Sequence, residues 1–555
     1  MDRFACHLGQ SAEGPLQISK AARDLHMQVI GLSGQGKSYF LEHMIRQDIK
    51  NGAGVCLIDP HGEVYENLVD WLASESMHHK RHIHLINPAM GEWSVGFNPL
   101  AGSNADVSTR VGAMIEACEH VWDDDASSGH KTLGKLLDMV FSTIAAKQLS
   151  IREALLLTTE QNREIRQGLV ASIGDPELSM LWEEVDALRP SERVMRFEAV
   201  HNRLRDLSRT PVIRSMLGQT DDLLNFKMCM EEGDIVLVNL AHGGQMKPQV
   251  AQMLGALITA DLFFSAQSRD INEAKEQPFY CYIDECGDYV NKTVAKGLDE
   301  TRKYGLHFVL SHQRLSQLGD KPSDPIRNAV VAGAQSKVVF LQDEPASADE
   351  LGELLFGKQF DFEKAKESLI KPTVVGYQRE IFTAEGYSEG AGVHSASGAG
   401  VGIGLTTSHP DTDNPMLHLS NSETESNFDS FGESYSRSKS FSEHEGLVPI
   451  FEDRPTATFS RDELKHMAAN EIRGLQARQA FAYRADDRQA VQFATSDIFP
   501  SRPTEEQVAD FFETVRNREP SANRTVEVEA SILQRHQLLS VVDYVDDDDH
   551  WNLSS

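Results

Sequence analysis

Gly31-Leu32-Ser33-Gly34-Gln35-Gly36-Lys37-Ser38 is a complete GxxxxGK[ST] stretch, and its reading decides the fold. The glycines let the backbone curl so that its N–H groups face one point, where the N-terminus of the next helix adds partial positive charge. Such a loop cradles phosphate. At average residue usage, chance matches in a chain of 555 residues number on the order of 0.02. Met27-Gln28-Val29-Ile30-Gly31 reads as a strand and Tyr39 to Lys50 as an amphipathic helix, so the loop joins strand to helix as its chemistry requires. Gly31, Ser33, Gly34, Gln35, Gly36 and Tyr39 are expected around the phosphates of ATP. Lys37 is expected to reach the β- and γ-phosphates, and the Ser38 hydroxyl to ligate Mg2+.

Outward from the loop, short apolar runs alternate with helical patterns. Gly54 to Asp59 and Ile83 to Ile86 read as strands, with a helix at Glu63 to Ala73 between them. Continuous apolar strands separated by helices predict an α/β fold with a mostly parallel sheet covered on both faces. From 106 to 230 the apolar spacing turns helical (Leu133, Leu136, Leu137, Val140, Phe141), which predicts an inserted lobe of four or more helices. Strands return at Asp234 to Leu240, Phe279 to Asp284, His307 to Ser311 and Lys337 to Leu341. One core, 1–105 with 231–384, interrupted by a helical lobe is the simplest arrangement. Gly and Ser dominate 385–446, with serines alternating at 434, 436, 438, 440 and 442, which predicts a flexible segment or a polar hairpin. Residues 447–555 read as a helical extension, with helices at Arg461 to Ala482 and Thr504 to Asn517 and an acidic tail at Asp543 to Asp549.

The acids that go with a phosphate loop stand in Phe279-Tyr280-Cys281-Tyr282-Ile283-Asp284-Glu285. An apolar strand ending in two acids brings both carboxylates to the sheet edge that holds the loop. Asp284 suits the Mg2+ shell and Glu285 suits activation of water. Gln313 follows the next strand, where an amide can sense the γ-phosphate. Arg302 is a candidate arginine finger for a neighbouring subunit's site, with Arg314 and Arg327 as rivals. In Asp59-Pro60-His61-Gly62-Glu63, Asp59 rather than Glu63 is expected in the Mg2+ or water network, and His61 shapes the loop. Cys281 and Cys286 read as packing residues.

Composition limits the partners. Lys and Arg number 53 against 84 Asp and Glu, a net charge of −31, so nucleic acid can be bound only in a confined basic groove or lumen. Six scattered cysteines without CxxC spacing give neither a disulfide framework nor a zinc signature. Without a signal peptide or an uncharged apolar run of roughly 18–20 residues, a soluble, cytoplasmic chain is expected.

Taken together, the phosphate loop, Asp59 to Glu63, the Asp284/Glu285 pair, Arg302 with Gln313, and Phe97-Asn98-Pro99-Leu100 resemble the HerA/FtsK superfamily of motor ATPases. The layout is similar to HerA helicases and to the type IV secretion coupling proteins of conjugation, over about residues 25–385. The resemblance implies a RecA-like core, a ring of six subunits and ATP-driven movement of DNA through the lumen. Apart from the resemblance, the helical lobe or the acidic tail is expected to offer contact to a protein partner. A motor that moves protein and a nucleotide-gated scaffold for a partner such as a nuclease are the alternative readings.

Overall fold

The computed structural model describes residues 2–101, 106–122, 130–207, 209–221, 223–241, 246–359, 370–393, 418–428, 433–455 and 460–541. Two compact units emerge, one made of Met1–Gln359 with Lys465–Ser555 and the other of Phe360–Leu464.

The first unit is built on one sheet. Its strands in chain order are β1 (Cys6–Ser11), β2 (Gly14–Ile18), β3 (Met27–Ile30), β4 (Gly54–Asp59) and β5 (Ile83–Ile86), then, after a short β6 (Trp93–Val95), β7 (Ile235–Asn239), β8 (Phe279–Ile283), β9 (Leu306–His312) and β10 (Ser336–Phe340). In the second unit β11 (Ile370–Val393), β12 (His418–Phe428) and β13 (Glu433–Pro455) follow, and β14 (Gln479–Tyr483), β15 (Ala490–Thr495) and β16 (Ala522–Arg524) return to the first. The eleven-stranded order is β2-β1-β15-β14-β10-β3-β9-β8-β4-β7-β5. From β10 to β5 every pairing is parallel, and from β10 outward to β2 every pairing is antiparallel.

The period of two in the strands divides their side chains between two cores. On β4, Cys56 and Ile58 enter one core while Val55 and Leu57 enter the other. On β8, Phe279, Cys281 and Ile283 alternate in the same way with Tyr280 and Tyr282. The second core is closed by the helices Lys37–Asn51 and Glu63–Ser74. Arg23 locks the first of these helices to the sheet, donating to both Asp48 carboxylate oxygens at 2.6 Å while Tyr282 donates to the same carboxylate. A buried ion pair of this kind fixes geometry more than it adds stability.

Between β6 and β7 the described residues form eight helices, from Val107–Trp122 to Phe226–Glu232. They do not make a core of their own: Met114, Phe141 and Trp182 join the same apolar cluster as Cys56, Ile58 and Ile283 of the sheet. The start signals sit where helix physics puts them. Ser150 and Glu153 form a capping box, and Asp175 caps a helix with Pro176 in its first turn. The helix Pro248–Gln267 is the one described helix long and apolar enough to cross a membrane, and 78% of its apolar window is buried inside the fold.

Two parts differ from the sequence-based expectation. The extension beyond 447 is not simply helical, because β14 and β15 enter the main sheet between β1 and β10. The helix expected over Arg461 to Ala482 runs into β14 because Ala480, Phe481 and Ala482 are an apolar run too short to show its period. Within 385–446, the described residues are paired antiparallel strands, in line with the hairpin alternative and not with the flexible segment. β13 pairs antiparallel with β11 from Ile370↔Pro455 to Val393↔Glu433, and with β12 from His418↔His444 to Phe428↔Ser434. The alternating serines occupy every second ladder position of β13, where backbone hydrogen bonding supplies order that composition does not reveal. The Gly/Ser run at 395–404 and the acidic tail lie outside the described residues.

Candidate active site

Because β3, β4, β8, β9 and β10 are parallel, their C-terminal ends reach the same edge of the sheet. The phosphate loop leaves β3 there and runs into the helix that begins at Lys37, with Gly36 as its N-cap. Gly34 and Gly36 have φ of 77° and 98°, a left-handed backbone that favours glycine. A side chain at Gly31 would stand 2.5 Å from the Cβ of Phe340, so the loop also needs glycine for close packing on β10. Ser33 and Gly34 are exposed, and nothing lies within 4 Å of where a Gly34 Cβ would be. The cradle is open to a ligand. Ser38 follows Lys37 in the helix's first turn.

Lys37 is buried, and its Nζ donates to the Leu32 carbonyl at 3.3 Å. Burial lowers its pKa, while the nearby Asp284 and Glu285 carboxylates work against that shift. A desolvated ammonium behind an open loop is a site for a polyanion, and two adjoining carboxylates suit a divalent cation. Nucleotide and Mg2+ therefore fit the residues present. Asp284 is buried, and its Oδ1 accepts from Ser311 Oγ at 2.7 Å and from the Glu285 N–H at 3.1 Å. Burial raises its pKa, opposed by the Ser311 hydrogen bond.

Glu285 is held in the left-handed region, with φ 46° and ψ 49°, a costly backbone for a residue with a side chain. The carboxylate that this turn presents is gripped by two amides. Gln313 Nε2 donates to Oε1 at 2.7 Å and Gln317 Nε2 donates to Oε2 at 2.9 Å. The Gln317 Oε1 in turn accepts from the Gln313 and Arg314 N–H groups at 2.6 and 3.1 Å. Gln342, just past β10, donates to the Gln313 carbonyl at 3.0 Å. Behind them His312 is fully buried, near Gln28 Nε2 through its Nε2 and the Arg314 carbonyl through its Nδ1, at 2.8 and 3.0 Å. The Arg314 carbonyl requires a proton on Nδ1, which leaves Nε2 to accept from the Gln28 amide.

Asp59 ends β4 near Asp284. Its Oδ1 accepts from the His61 N–H and its Oδ2 from the Tyr65 N–H, both at 2.9 Å, so it also shapes the turn into the helix Glu63–Ser74. Lys37, Asp59, Asp284, Glu285 and Gln313 thus gather at one edge. Arg302 does not join them. It lies before β9, at the opposite edge of the sheet from Gln313, which follows that strand. Arg314 pairs with Asp343 at 3.6 Å, and Arg327 donates to the Gly319 carbonyl at 3.1 Å.

Sequence reasoning missed Gln317, Gln342 and, above all, Arg478. The Arg478 N–H donates to the Gln35 carbonyl of the phosphate loop at 2.9 Å, and a Cβ on Gly36 would meet Arg478 Cγ at 3.2 Å. Its guanidinium lies 4.8 Å from the Tyr39 ring centroid and pairs with Asp497 at 2.6 Å. The Tyr39 hydroxyl donates to the Ile498 carbonyl at 2.5 Å. Tyr39 is therefore engaged by the C-terminal segment as well as standing next to the loop.

Comparison with known proteins follows the same lines. Residues 8–260 match the family model of the central domain of helicase HerA. No curated protein matches the sequence. Among solved structures, the unbound bacterial conjugative coupling protein TrwB is similar at 15% identity and a TM-score of 0.50, over 90% of this chain and 91% of that one. TrwB in complex with the GTP analogue GDPNP is similar at 14% identity and a TM-score of 0.51, over 90% and 92%. TrwB in complex with the ATP analogue ADPNP is similar at 13% identity and 0.50, over 90% and 92%. At these identities the likeness is one of fold, the RecA-like P-loop fold with its mostly parallel sheet.

Proposed function

We propose that this chain, whose residues 8–260 match the central domain of helicase HerA, is a HerA/FtsK-type, Mg2+-dependent ATP hydrolase working as a ring-forming, cytoplasmic DNA motor. The observation that carries the reading is the meeting of Lys37, Asp284 and Glu285 at one sheet edge, with Glu285 held by two glutamine amides. Lys37 and the N–H groups of residues 33–38 bind the β- and γ-phosphates, and Ser38 and Asp284 hold the metal. Mg2+, when bound, neutralises charge on the phosphates. Glu285 orients the attacking water and takes up its proton. Gln313 reports on the γ-phosphate and passes that state to β9 and, through Gln342, to β10.

Arg302 lies at the far edge of its own sheet, and in this reading it completes the site of a neighbouring subunit. A ring follows from that division, and six subunits is the count the family suggests. DNA occupies a basic lumen despite the net charge of −31, and a protein partner engages the helical lobe or the acidic tail.

The test is ATP turnover with and without single- and double-stranded DNA across a salt series, with mass measured in the same buffers. DNA should stimulate turnover at low salt and lose its effect steeply as salt rises. Lys37→Ala should abolish turnover, and unchanged turnover in that variant would refute the site. Arg302→Ala should cost roughly 10³-fold in turnover with ATP binding intact, and mixing it with Glu285→Gln subunits should restore part of the activity. Indifference to DNA at low salt would shift the cargo to protein or the role to a nucleotide-gated scaffold.

A further inference from the structure

A second cluster of metal-ligating groups lies at the other edge of the sheet. His82 and His84 are two apart at the start of β5, so strand period places them on one side. β5 pairs with β7, and Asp234 immediately precedes β7. Cys229 comes from the helix Phe226–Glu232 that leads into it, and the Asp234 N–H donates to the Cys229 carbonyl at 2.8 Å. Two separate stretches of chain thus bring two imidazoles, a carboxylate and a thiol together.

Each histidine already has one nitrogen committed to the protein. His84 Nδ1 meets the Glu519 carboxylate, and His82 Nε2 donates to the Arg518 carbonyl at 3.1 Å. The other ring nitrogens face Asp234. His84 Nε2 lies 3.0 Å from Asp234 Oδ2 and 3.4 Å from Cys229 Sγ, and His82 Nδ1 lies 3.8 Å from the same Asp234 oxygen. Metal-bound histidines are oriented in this way, with the second ring nitrogen on a carboxylate or a backbone carbonyl. A tetrahedral Zn2+ with bonds of about 2.0–2.3 Å separates its ligand atoms by about 3.3–3.7 Å; the ligand atoms of His82, His84 and Asp234 all lie within 4.8 Å of one another, and Cys229 Sγ reaches this set through His84. The His84, Asp234 and Glu519 side chains are 4–6% exposed and His82 is 29% exposed, so the position is closed to solvent on most sides.

We propose that His82, His84, Asp234 and Cys229 form a structural Zn2+ site that fastens the C-terminal segment to β5. The donor set, two nitrogens, one oxygen and one sulfur, suits zinc, and a four-ligand buried site matches the structural rather than the catalytic type. Glu519 and Arg518 are the outer partners, so metal binding ties residues more than 430 positions apart through His84 and His82. The site is independent of the phosphate loop and does not rest on the ATPase reading. The metal-free alternative is a protonated His84 clamped between Asp234 and Glu519.

Metal content separates the two. The untagged full-length chain, purified without chelator from zinc-supplemented medium, should carry about one Zn2+ per chain by mass spectrometry of its metals, in Lys37→Ala as in the parent. Replacement of zinc by Co2+ should give the strong visible absorption of a tetrahedral centre together with a thiolate charge-transfer band. Cys229→Ser should lose that band while retaining visible absorption. His82→Ala, at the most exposed ligand, should weaken zinc retention at least tenfold, and EDTA should lower the melting midpoint of the parent but not of this variant. A chain that folds and melts identically with and without EDTA and holds no stoichiometric metal would overturn the proposal, as would a Co2+ spectrum unchanged by Cys229→Ser.

Discussion

Gln317 shows how the carboxylate proposed to activate water is aimed by a residue that need not touch the reactants. It holds Glu285 with its amide nitrogen while its amide oxygen binds the backbone of Gln313, the other residue holding Glu285. Glu285→Gln should retain ATP in equilibrium binding and lose turnover by about 10²–10⁴-fold, the worth of a positioned general base. Gln317→Ala should lower kcat with little change in KM, and Gln317→Glu should be worse because it places a like charge beside Glu285. Steady-state kinetics of the three variants check this. The phosphate loop and the acidic pair were legible because both have fixed spacing and known strand context. Gln317 was not, because its role depends on the 3-10 turn Leu315–Leu318 and on a left-handed Glu285. A residue code does not carry either feature.

At the scale of the element, β9 couples the site to the fold's acid sensitivity. Its His307 and His312 are both buried, which drives the His307 pKa well below the ordinary value and that of His312 down to about 3. Native pKa values below 6.5 mean that the unfolded chain binds more protons in the interval, so stability rises with pH there. The contribution is complete above about pH 6.5 and, for His312, is lost as pH falls toward about 3, at up to about 1.4 kcal/mol per pH unit. Denaturant titrations between neutral and mildly acidic pH should show this slope, and His312→Gln should flatten it. Sequence periodicity located β9 well because seven consecutive buried residues leave a clear apolar run. It failed for β14, whose place in the sheet is set by partners on β10 and β15 rather than by its own pattern.

On the scale of the whole molecule, the described residues of the second unit supply no strand to the main sheet, while β14 and β15 stand within it. Replacing residues 360–459 by a short linker should leave the melting and nucleotide binding of the first unit intact. Truncation before residue 474 should yield insoluble protein, because it bares the edge of β10, separates β1 from its neighbour and removes Arg478 from the phosphate loop. Sedimentation and nucleotide-binding assays on both deletions check the contrast. β1 pairs with β15, joining Gly9 to Thr495. During translation at about 5–20 residues per second, the N-terminal hairpin therefore waits on the order of half a minute to a minute and a half for its ladder partner. A fragment released before residue 478 lacks the Arg478 bond to the Gln35 carbonyl, so the phosphate loop is braced only late in synthesis.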